Sequence, residues 1–215
     1  GGGFAGKLHN STEEIELISQ NSIHDQKIKL EIGAHYAELN LEFLGDDKIK
    51  GTWVRTNKEN YIVNLTGKKT TKSNELFADY VSKKTPTDIN GNWEIEFEEG
   101  KKALGVFKQE GRRITGSILT NTGDYRFLVG KLEENQIYLQ GFDGVFSFIF
   151  KLNLSDQLKF KGKMFSGKSY QTGLTGIRNP SFKLDDAYAM TKLTDDKPIG
   201  FLGVDLSGKK IDLSS

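Results

Sequence analysis

The sequence predicts an all-β protein whose second half is an antiparallel up-and-down meander, closing into a barrel of about eight strands. Apolar residues recur at every second position, which is the spacing of a strand with one buried and one solvated face. Turn-forming residues interrupt this alternation every ~8–12 residues between Asn92 and Asn179. That region has no helical apolar periodicity long enough to connect parallel strands, so we expect hairpins.

The alternation is clearest in the first strand of the meander. Trp93, Ile95 and Phe97 alternate there with acidic and amide side chains, and the pattern returns around Ile114 and Phe160. Segments rich in Gly, Asn, Asp and Ser separate the strands at 99–102, 110–112, 121–124, 133–135, 143–144, 154–156 and 166–169. These residue types tolerate the conformations that tight turns require. Residues 89–180 are therefore predicted to form one barrel.

The contents of the predicted barrel have two interpretations. Gly105, Gly116 and Gly162 each stand between two apolar residues of a predicted strand. They indicate either sharp bends at barrel corners or space for a small ligand. A set of aromatic residues likewise either fills the core or lines a pocket: Tyr125, Phe127, Tyr138, Phe142, Phe146, Phe148 and Phe150. The Gly-x-Trp order at 91–93 is also how lipocalin and avidin barrels begin.

The regions on either side of the barrel carry weaker patterns. Residues 1–88 are predicted to form an N-terminal β block of about four or five strands, followed by a linker. The alternation stops at 69–88, where Ser73 is placed to cap a short helix that Pro86 would end. Residues 181–215 are predicted to contain a linker and one hairpin with its turn at 207–210.

Composition argues against several classes of function. Thirty Lys and Arg residues balance 29 Asp and Glu residues with interspersed signs, so no face favours nucleic acid. The chain has no cysteine, which excludes disulfides and thiolate chemistry of its own. No apolar run approaches the ~18 residues of a membrane-spanning helix. The three histidines share no ligand spacing, and no acid/base pair can be identified, so we expect no metal, no cofactor and no catalytic residues.

The segment 162–169 fits the phosphate-binding P-loop pattern, from Gly162 to Ser169. A P-loop binds phosphate because its glycines wrap the anion at the start of a helix. Here the β alternation continues through Gly162, and Gly173 and Pro180 follow soon after Ser169. We therefore predict a hairpin turn.

Five short motifs follow one another along the predicted barrel. They are Asn92-Trp93-Glu94-Ile95, Ile114-Thr115-Gly116-Ser117-Ile118, Thr122-Gly123-Asp124-Tyr125-Arg126-Phe127-Leu128, Phe142-Asp143-Gly144 and Arg178-Asn179-Pro180. Their order and spacing resemble the β-rich N-terminal region that precedes the thioredoxin-like domain in bacterial thiol-disulfide oxidoreductases of the TlpA/AhpC-TSA type. The resemblance covers most of 88–185 and, more loosely, 13–68. The segment 200–214 resembles the opening hairpin of such a redox domain. Two positions depart from the pattern, since Phe146 and Leu174 stand where related sequences tend to carry His and Trp.

The resemblance implies a non-catalytic accessory domain of a periplasmic or cell-envelope thiol-disulfide oxidoreductase, which positions the redox domain or binds its client. The implied partners are its own downstream thioredoxin-like domain and a client protein, with no nucleic acid and no membrane span. The motif positions supply the candidate ligand-binding residues: Trp93, Tyr125, Arg126, Phe142, Asp143 and Arg178. Tyr125 and Arg126 are predicted to project from opposite faces of one strand. The alternative function is a calycin-like carrier that binds a small apolar ligand inside the barrel.

Overall fold

The computed structural model describes residues 5–19, 23–32, 35–71, 75–186 and 202–212. Over these ranges the protein is all-β, and its helical structure is a single turn of 3-10 helix at Ala78–Tyr80. The chain divides into two compact units, Gly1–Leu184 and Asp185–Ser215. The first unit contains an N-terminal sheet and a closed barrel.

The N-terminal sheet has six strands in chain order, each antiparallel to the next. They are β1 Ala5–Asn10, β2 Glu13–Ile18, β3 Lys27–Ile32, β4 Ala37–Phe43, β5 Lys48–Arg55 and β6 Ile62–Lys68. The prediction of four or five strands was therefore wrong. The residues of β1 lack a clear apolar alternation, and what defines this strand is its register with β2, from Ala5 opposite Ile18 to Asn10 opposite Glu13.

One face of the N-terminal sheet carries a core of its own. Eight buried residues form it: Ile15, Leu17, Ile28, Leu30, Ile32, Ala37, Leu39 and Trp53. They occupy alternate strand positions, as expected for a sheet with one covered face. Phe142, which lies in the barrel, packs against this cluster. The barrel therefore helps to bury the core of the sheet.

The barrel consists of eight long antiparallel strands and one short one. They are β7 Gly91–Phe97, β8 Lys102–Glu110, β9 Arg113–Thr120, β10 Gly123–Asp124, β11 Leu128–Glu133, β12 Gln136–Phe142, β13 Ser147–Asp156, β14 Lys159–Ser166 and β15 Tyr170–Arg178. The sheet closes because β7 pairs with both β8 and β15 and because β8 pairs with β9. β10 only extends the pairing of β9. The predicted all-β fold with an eight-stranded antiparallel barrel is confirmed.

Side chains fill the barrel. Eighteen buried residues form one cluster, and Trp93, Ile95, Ile114, Ile118, Leu128 and Phe150 are fully buried within it. The inward glycines allow neighbouring groups to pack closely. A Cβ on Gly162 would lie 2.0 Å from the carbonyl oxygen of Lys151, and one on Gly105 would meet the Phe107 ring at 3.0 Å. Eight strands enclose a space of about the size that side chains alone can fill.

Two further predictions concern the segments around the barrel. Ser73, the proposed helix cap, lies outside the described residues, and before Pro86 the described part of the predicted short helix has only the 3-10 turn at Ala78–Tyr80. Phe77 has a left-handed backbone conformation immediately before this turn, which prevents an earlier helical start. The segment matching the P-loop pattern lies in β14 and in the hairpin turn after it.

The second unit contains one antiparallel hairpin within the described residues 202–212. β16 Leu202–Val204 pairs with β17 Lys210–Asp212. Asp205 starts the turn, since its Oδ1 accepts hydrogen bonds from the backbone N–H groups of Ser207 (2.8 Å) and Lys209 (2.9 Å). The turn therefore begins two residues before the predicted Ser207.

Candidate functional site

The barrel has two ends, and different parts of the chain cover them. At the end where β7 begins, the segment 75–90 runs along the strand termini. The backbone N–H of Arg112 donates to the carbonyl oxygen of Tyr80 (2.8 Å), and that of Ile89 donates to Oε1 of Gln109 (2.9 Å). We call this the linker end.

The opposite end of the barrel faces the N-terminal sheet, and we call it the sheet end. Asn10 is almost fully buried, and its Oδ1 accepts a hydrogen bond from the backbone N–H of Phe142 (2.9 Å). The hydroxyl of Tyr61 accepts one from the backbone N–H of Lys168 (3.1 Å). The end of β12 and the loop after β14 thus contact the N-terminal sheet at β1 and just before β6.

Trp93, the first of the candidate ligand-binding residues, lies in the core near the linker end. Its side chain is fully buried, and its Nε1–H donates to the carbonyl oxygen of Ile89 (2.9 Å). The centre of its ring lies 5.0 Å from that of Phe160. With its polar group satisfied and no exposed surface, Trp93 closes the barrel interior at this end.

Arg178 also lies at the linker end, opposite Trp93 in the register. Its guanidinium donates to the carbonyl oxygen of Asp88 (3.0 Å), to Oδ2 of the same residue (3.0 Å) and to the carbonyl oxygen of Asn90. The pKa of Asp88 is lowered, first by hydrogen bonds from Asn90 and then by Arg178. Arg178 therefore fastens the segment 75–90 to β15.

Tyr125 and Arg126 lie at the sheet end, and their predicted strand is wrong. Oδ1 of Asp124 accepts a hydrogen bond from the backbone N–H of Arg126 (2.8 Å), and Arg126 has a φ of 50°, so β10 ends at Asp124. This short-range bond offers the backbone an alternative to strand pairing. The two side chains still diverge, because Tyr125 packs on Phe148 and Phe150, whereas Arg126 forms an ion pair with Glu13 of the N-terminal sheet.

Phe142 and Asp143 complete the candidates and also lie at the sheet end. Phe142 packs edge-on against Trp53 of the N-terminal sheet, with ring centres 6.0 Å apart. Oδ1 of Asp143 accepts hydrogen bonds from the backbone N–H groups of Val145 (2.8 Å) and Phe146 (2.6 Å). Asp143 thereby shapes the loop that presents Phe146. The six candidates thus divide between the two ends, and they do not converge on a single site.

A cavity of about 430 Å³ lies at the sheet end, between the barrel and the N-terminal sheet. Its walls are mainly aromatic, from Tyr61, Tyr125, Phe146, Phe148 and Tyr170. Three cationic side chains also line it, those of Arg55, Lys58 and Lys168, and its described lining contains no carboxylate. Its volume is within the range of small-molecule sites. Among the sequence candidates, only Tyr125 lines this cavity.

Two tyrosines that line the cavity, Tyr125 and Tyr170, have raised pKa values. Burial raises the pKa of Tyr125, and the nearby Tyr170 and Glu99 raise it further. The hydroxyl of Tyr170 donates to Oε1 of Glu99 (2.9 Å), and this hydrogen bond raises the pKa of Tyr170 and lowers that of Glu99. Both tyrosines therefore remain hydrogen-bond donors well into the alkaline range.

Two larger depressions, of about 850 and 750 Å³, are each lined in part by a glycine that a neighbouring strand approaches closely. A Cβ on Gly51 or on Gly162 would lie 2.0 Å from a carbonyl oxygen of the neighbouring strand. Both depressions are lined by carboxylates and ammonium groups together, such as Glu42 with Lys50 and Glu96 with Lys161. The cavity at the sheet end differs from them because its charges have one sign.

Comparisons with known proteins do not assign a family. No family model and no curated protein matches the chain. A solved structure titled "Structure of a redesigned beta barrel, mFAP1, bound to DFHBI" matches with 11% identity and a TM-score of 0.33, over 42% of this chain and 94% of that one. This likeness is too low to carry a functional argument.

The described residues also lack two other kinds of site. Over these ranges, no three His, Asp or Glu side chains are grouped so that they could hold a metal ion. None of the described helical structure is long and apolar enough to cross a membrane. The cavity at the sheet end is therefore the candidate site of this structure.

Proposed function

We propose that this chain is a non-catalytic accessory domain of a cell-envelope thiol-disulfide oxidoreductase of the TlpA/AhpC-TSA type, positioning the redox domain or binding its client. The observation that carries the proposal is the ordered series of five motifs between 92 and 180, followed by the redox-domain-like segment 200–214. All five motifs belong to one barrel, and 202–212 forms a hairpin in a separate unit. The absence of cysteine is consistent with a supporting role.

The placement of the motif residues supports a positioning role for this domain better than a catalytic role. Arg178 fastens the linker segment to the barrel, and Asp143 and Arg126 shape and attach the loops at the sheet end. Arg178 and Arg126 thus each hold one element of the first unit against another, and Asp143 holds the turn after β12.

The test is to read the parent gene beyond Ser215 and to assay the products. We expect a Cys-x-x-Cys motif within roughly a hundred residues downstream, which is the motif of a thioredoxin-like redox site. The present chain should not reduce insulin disulfides in a turbidity assay, whereas the extended protein should. Absence of the motif over that distance would refute the proposal, as would reductase activity of the present chain.

The alternative function, a carrier with an apolar ligand inside the barrel, stays a prediction. The eighteen-residue core occupies the interior. A bound molecule would therefore have to lie at the sheet end, where Tyr125, Phe148 and Met164 border the cavity of about 430 Å³. The positive charge of that cavity favours an anionic ligand over a purely apolar one.

A further inference from the structure

Arg55 carries an isolated positive charge inside the protein. It is the last residue of β5, and only 6% of it is exposed. Its Nε has no hydrogen-bond partner, and its guanidinium forms no ion pair with any of the described residues. The other arginines differ in this respect: Arg113 and Arg126 each pair with a glutamate, Arg178 with an aspartate, and Arg112 donates to a backbone carbonyl.

Two aromatic rings hold the Arg55 side chain in place. The guanidinium carbon lies 4.6 Å from the centre of the Phe146 ring and 5.4 Å from that of Tyr61. The rings offset part of the cost of burial through cation–π attraction. They cannot accept the in-plane hydrogen bonds for which a guanidinium is built. A buried guanidinium whose Nε has no acceptor destabilises the protein unless a bound partner supplies one.

The surroundings of Arg55 specify the charge and the polarity of that partner. Lys58 and Lys168 also line the cavity, and its described lining has no carboxylate that would neutralise the three cations. A positive, partly enclosed site concentrates anions. The other walls, formed by rings such as Phe148 and by Met164, favour an apolar body on the same molecule.

We propose that the cavity at the sheet end binds a small organic carboxylate with an apolar or aromatic body, whose carboxylate pairs with Arg55. Planar carboxylates match the two parallel N–H groups of a guanidinium. Lys58 and Lys168 attract the anion at the entrance, and Phe148 and Met164 contact its apolar part. This site goes beyond the accessory role proposed above and does not depend on it.

The experiment is calorimetric titration of the purified chain with three probes. They are 4-phenylbutyrate, the uncharged 4-phenylbutanol of the same shape, and inorganic phosphate, which has charge but no apolar body. We expect measurable binding of phenylbutyrate, at least tenfold weaker binding of the alcohol, and no binding of phosphate. Equal affinity for the acid and the alcohol would overturn the proposal, and so would failure of phenylbutyrate to bind.

Substitutions then locate the site. Arg55→Gln should weaken phenylbutyrate binding at least tenfold, and Lys58→Gln should weaken it two- to threefold because its charge acts from the entrance. Arg112→Gln is the matched control, since Arg112 lies at the linker end, where it donates to the carbonyl oxygen of Lys84. Unchanged binding in Arg55→Gln, or equal loss in Arg112→Gln, would assign the binding to another surface.

A stability measurement separates a binding role from a structural one. Arg55→Met removes the charge but keeps the length of the side chain. Without ligand, its urea midpoint should equal or exceed that of the unmodified protein, because an uncompensated buried charge has been removed. Phenylbutyrate should raise the midpoint of the unmodified protein only. A lowered midpoint of Arg55→Met, with no response of either protein to phenylbutyrate, would identify Arg55 as a packing residue and refute the proposal.

Discussion

The close approach of β13 to β14 at Gly162 allows a quantitative test of how the barrel strands pack. Replacing Gly162 by alanine would place a Cβ 2.0 Å from the carbonyl oxygen of Lys151 on β13. An ordinary carbon–oxygen contact is about 3.3 Å, so the two strands would have to separate by about 1.3 Å. The neighbouring atom belongs to the backbone of a paired strand, which cannot rotate away as a side chain would.

The expected cost follows from that displacement. Overpacking in a well-packed region costs about 1–3 kcal/mol, and weakening one ladder hydrogen bond adds about 1 kcal/mol. We therefore expect Gly162→Ala to lower the free energy of unfolding by about 2–4 kcal/mol. For a domain of this size, each kcal/mol corresponds to about 2–4 °C, so the Tm should fall by roughly 4–16 °C.

Gly173 on the neighbouring strand β15 is the matched control. The nearest atom to a Cβ on Gly173 is Oε2 of Glu98, at 3.0 Å, which belongs to a side chain that can rotate and accepts a hydrogen bond from the backbone N–H of Gly173. Gly173→Ala should therefore change stability by no more than about 1 kcal/mol, the cost of weakening that hydrogen bond. Urea unfolding followed by far-UV circular dichroism gives both values. Equal stability of the two variants would refute the claim that the close approach of the two strands requires glycine at position 162.

Three further predictions concern the two ends of the barrel. Asn10→Ala should destabilise the protein by about 1–3 kcal/mol in urea unfolding, because the buried N–H of Phe142 loses its acceptor. Because the pKa of Tyr125 is raised, the folded state keeps the phenolic proton at a pH where the unfolded state has lost it. The contribution of Tyr125 to stability is therefore full below about pH 10 and falls as pH rises further. Tyr125→Phe should reduce that fall. The pKa of Asp88 is lowered, so the pH dependence runs the other way: its contribution to stability is present above about pH 4 and is lost as pH falls further. Asp88→Asn should therefore reduce the loss of thermal stability at acidic pH, as measured by thermal unfolding.

Each of these predictions has a clear contradictory outcome. An exposed substitution on β6, Asn64→Ala, serves as the control for Asn10→Ala, and equal effects of the two would show that the bond to Phe142 contributes nothing. Tyr125→Phe with an unchanged alkaline limb, or Asp88→Asn with an unchanged acid limb, would show that these groups titrate alike in the folded and unfolded states.

The barrel could be predicted because the signals for its strands and turns lie in short, continuous stretches of sequence. Each strand alternates between a wet and a buried face, as at Trp93, Ile95 and Phe97, and each turn carries residues suited to it. The wrong predictions also concern short segments of the chain. At Tyr125 a side-chain hydrogen bond from Asp124 competes with strand pairing, and in β1 pairing alone creates a strand that the pattern does not show.

The cavity was not predictable because its parts are far apart in the sequence. Arg55 ends a strand of the N-terminal sheet, whereas Phe146 and Lys168 belong to two different loops of the barrel. Nothing in the spacing of these residues relates them, and a lone arginine at a strand end resembles any solvated charge. Only the contact between the sheet and the barrel shows that Arg55 is buried without a partner.

The closure of the barrel through β7 and β15 has a consequence for synthesis on the ribosome. Every strand of the N-terminal sheet pairs with its neighbour in the chain, so hairpins can assemble there as they emerge. The barrel has to wait, because Trp93 meets its partner Arg178 only after all of the intervening chain has been made. Until then β7 has an unpaired edge and the apolar core stays open, which is the period of greatest risk of aggregation. Substitutions in β15 should therefore impair the yield of soluble protein more than equally destabilising substitutions in β3.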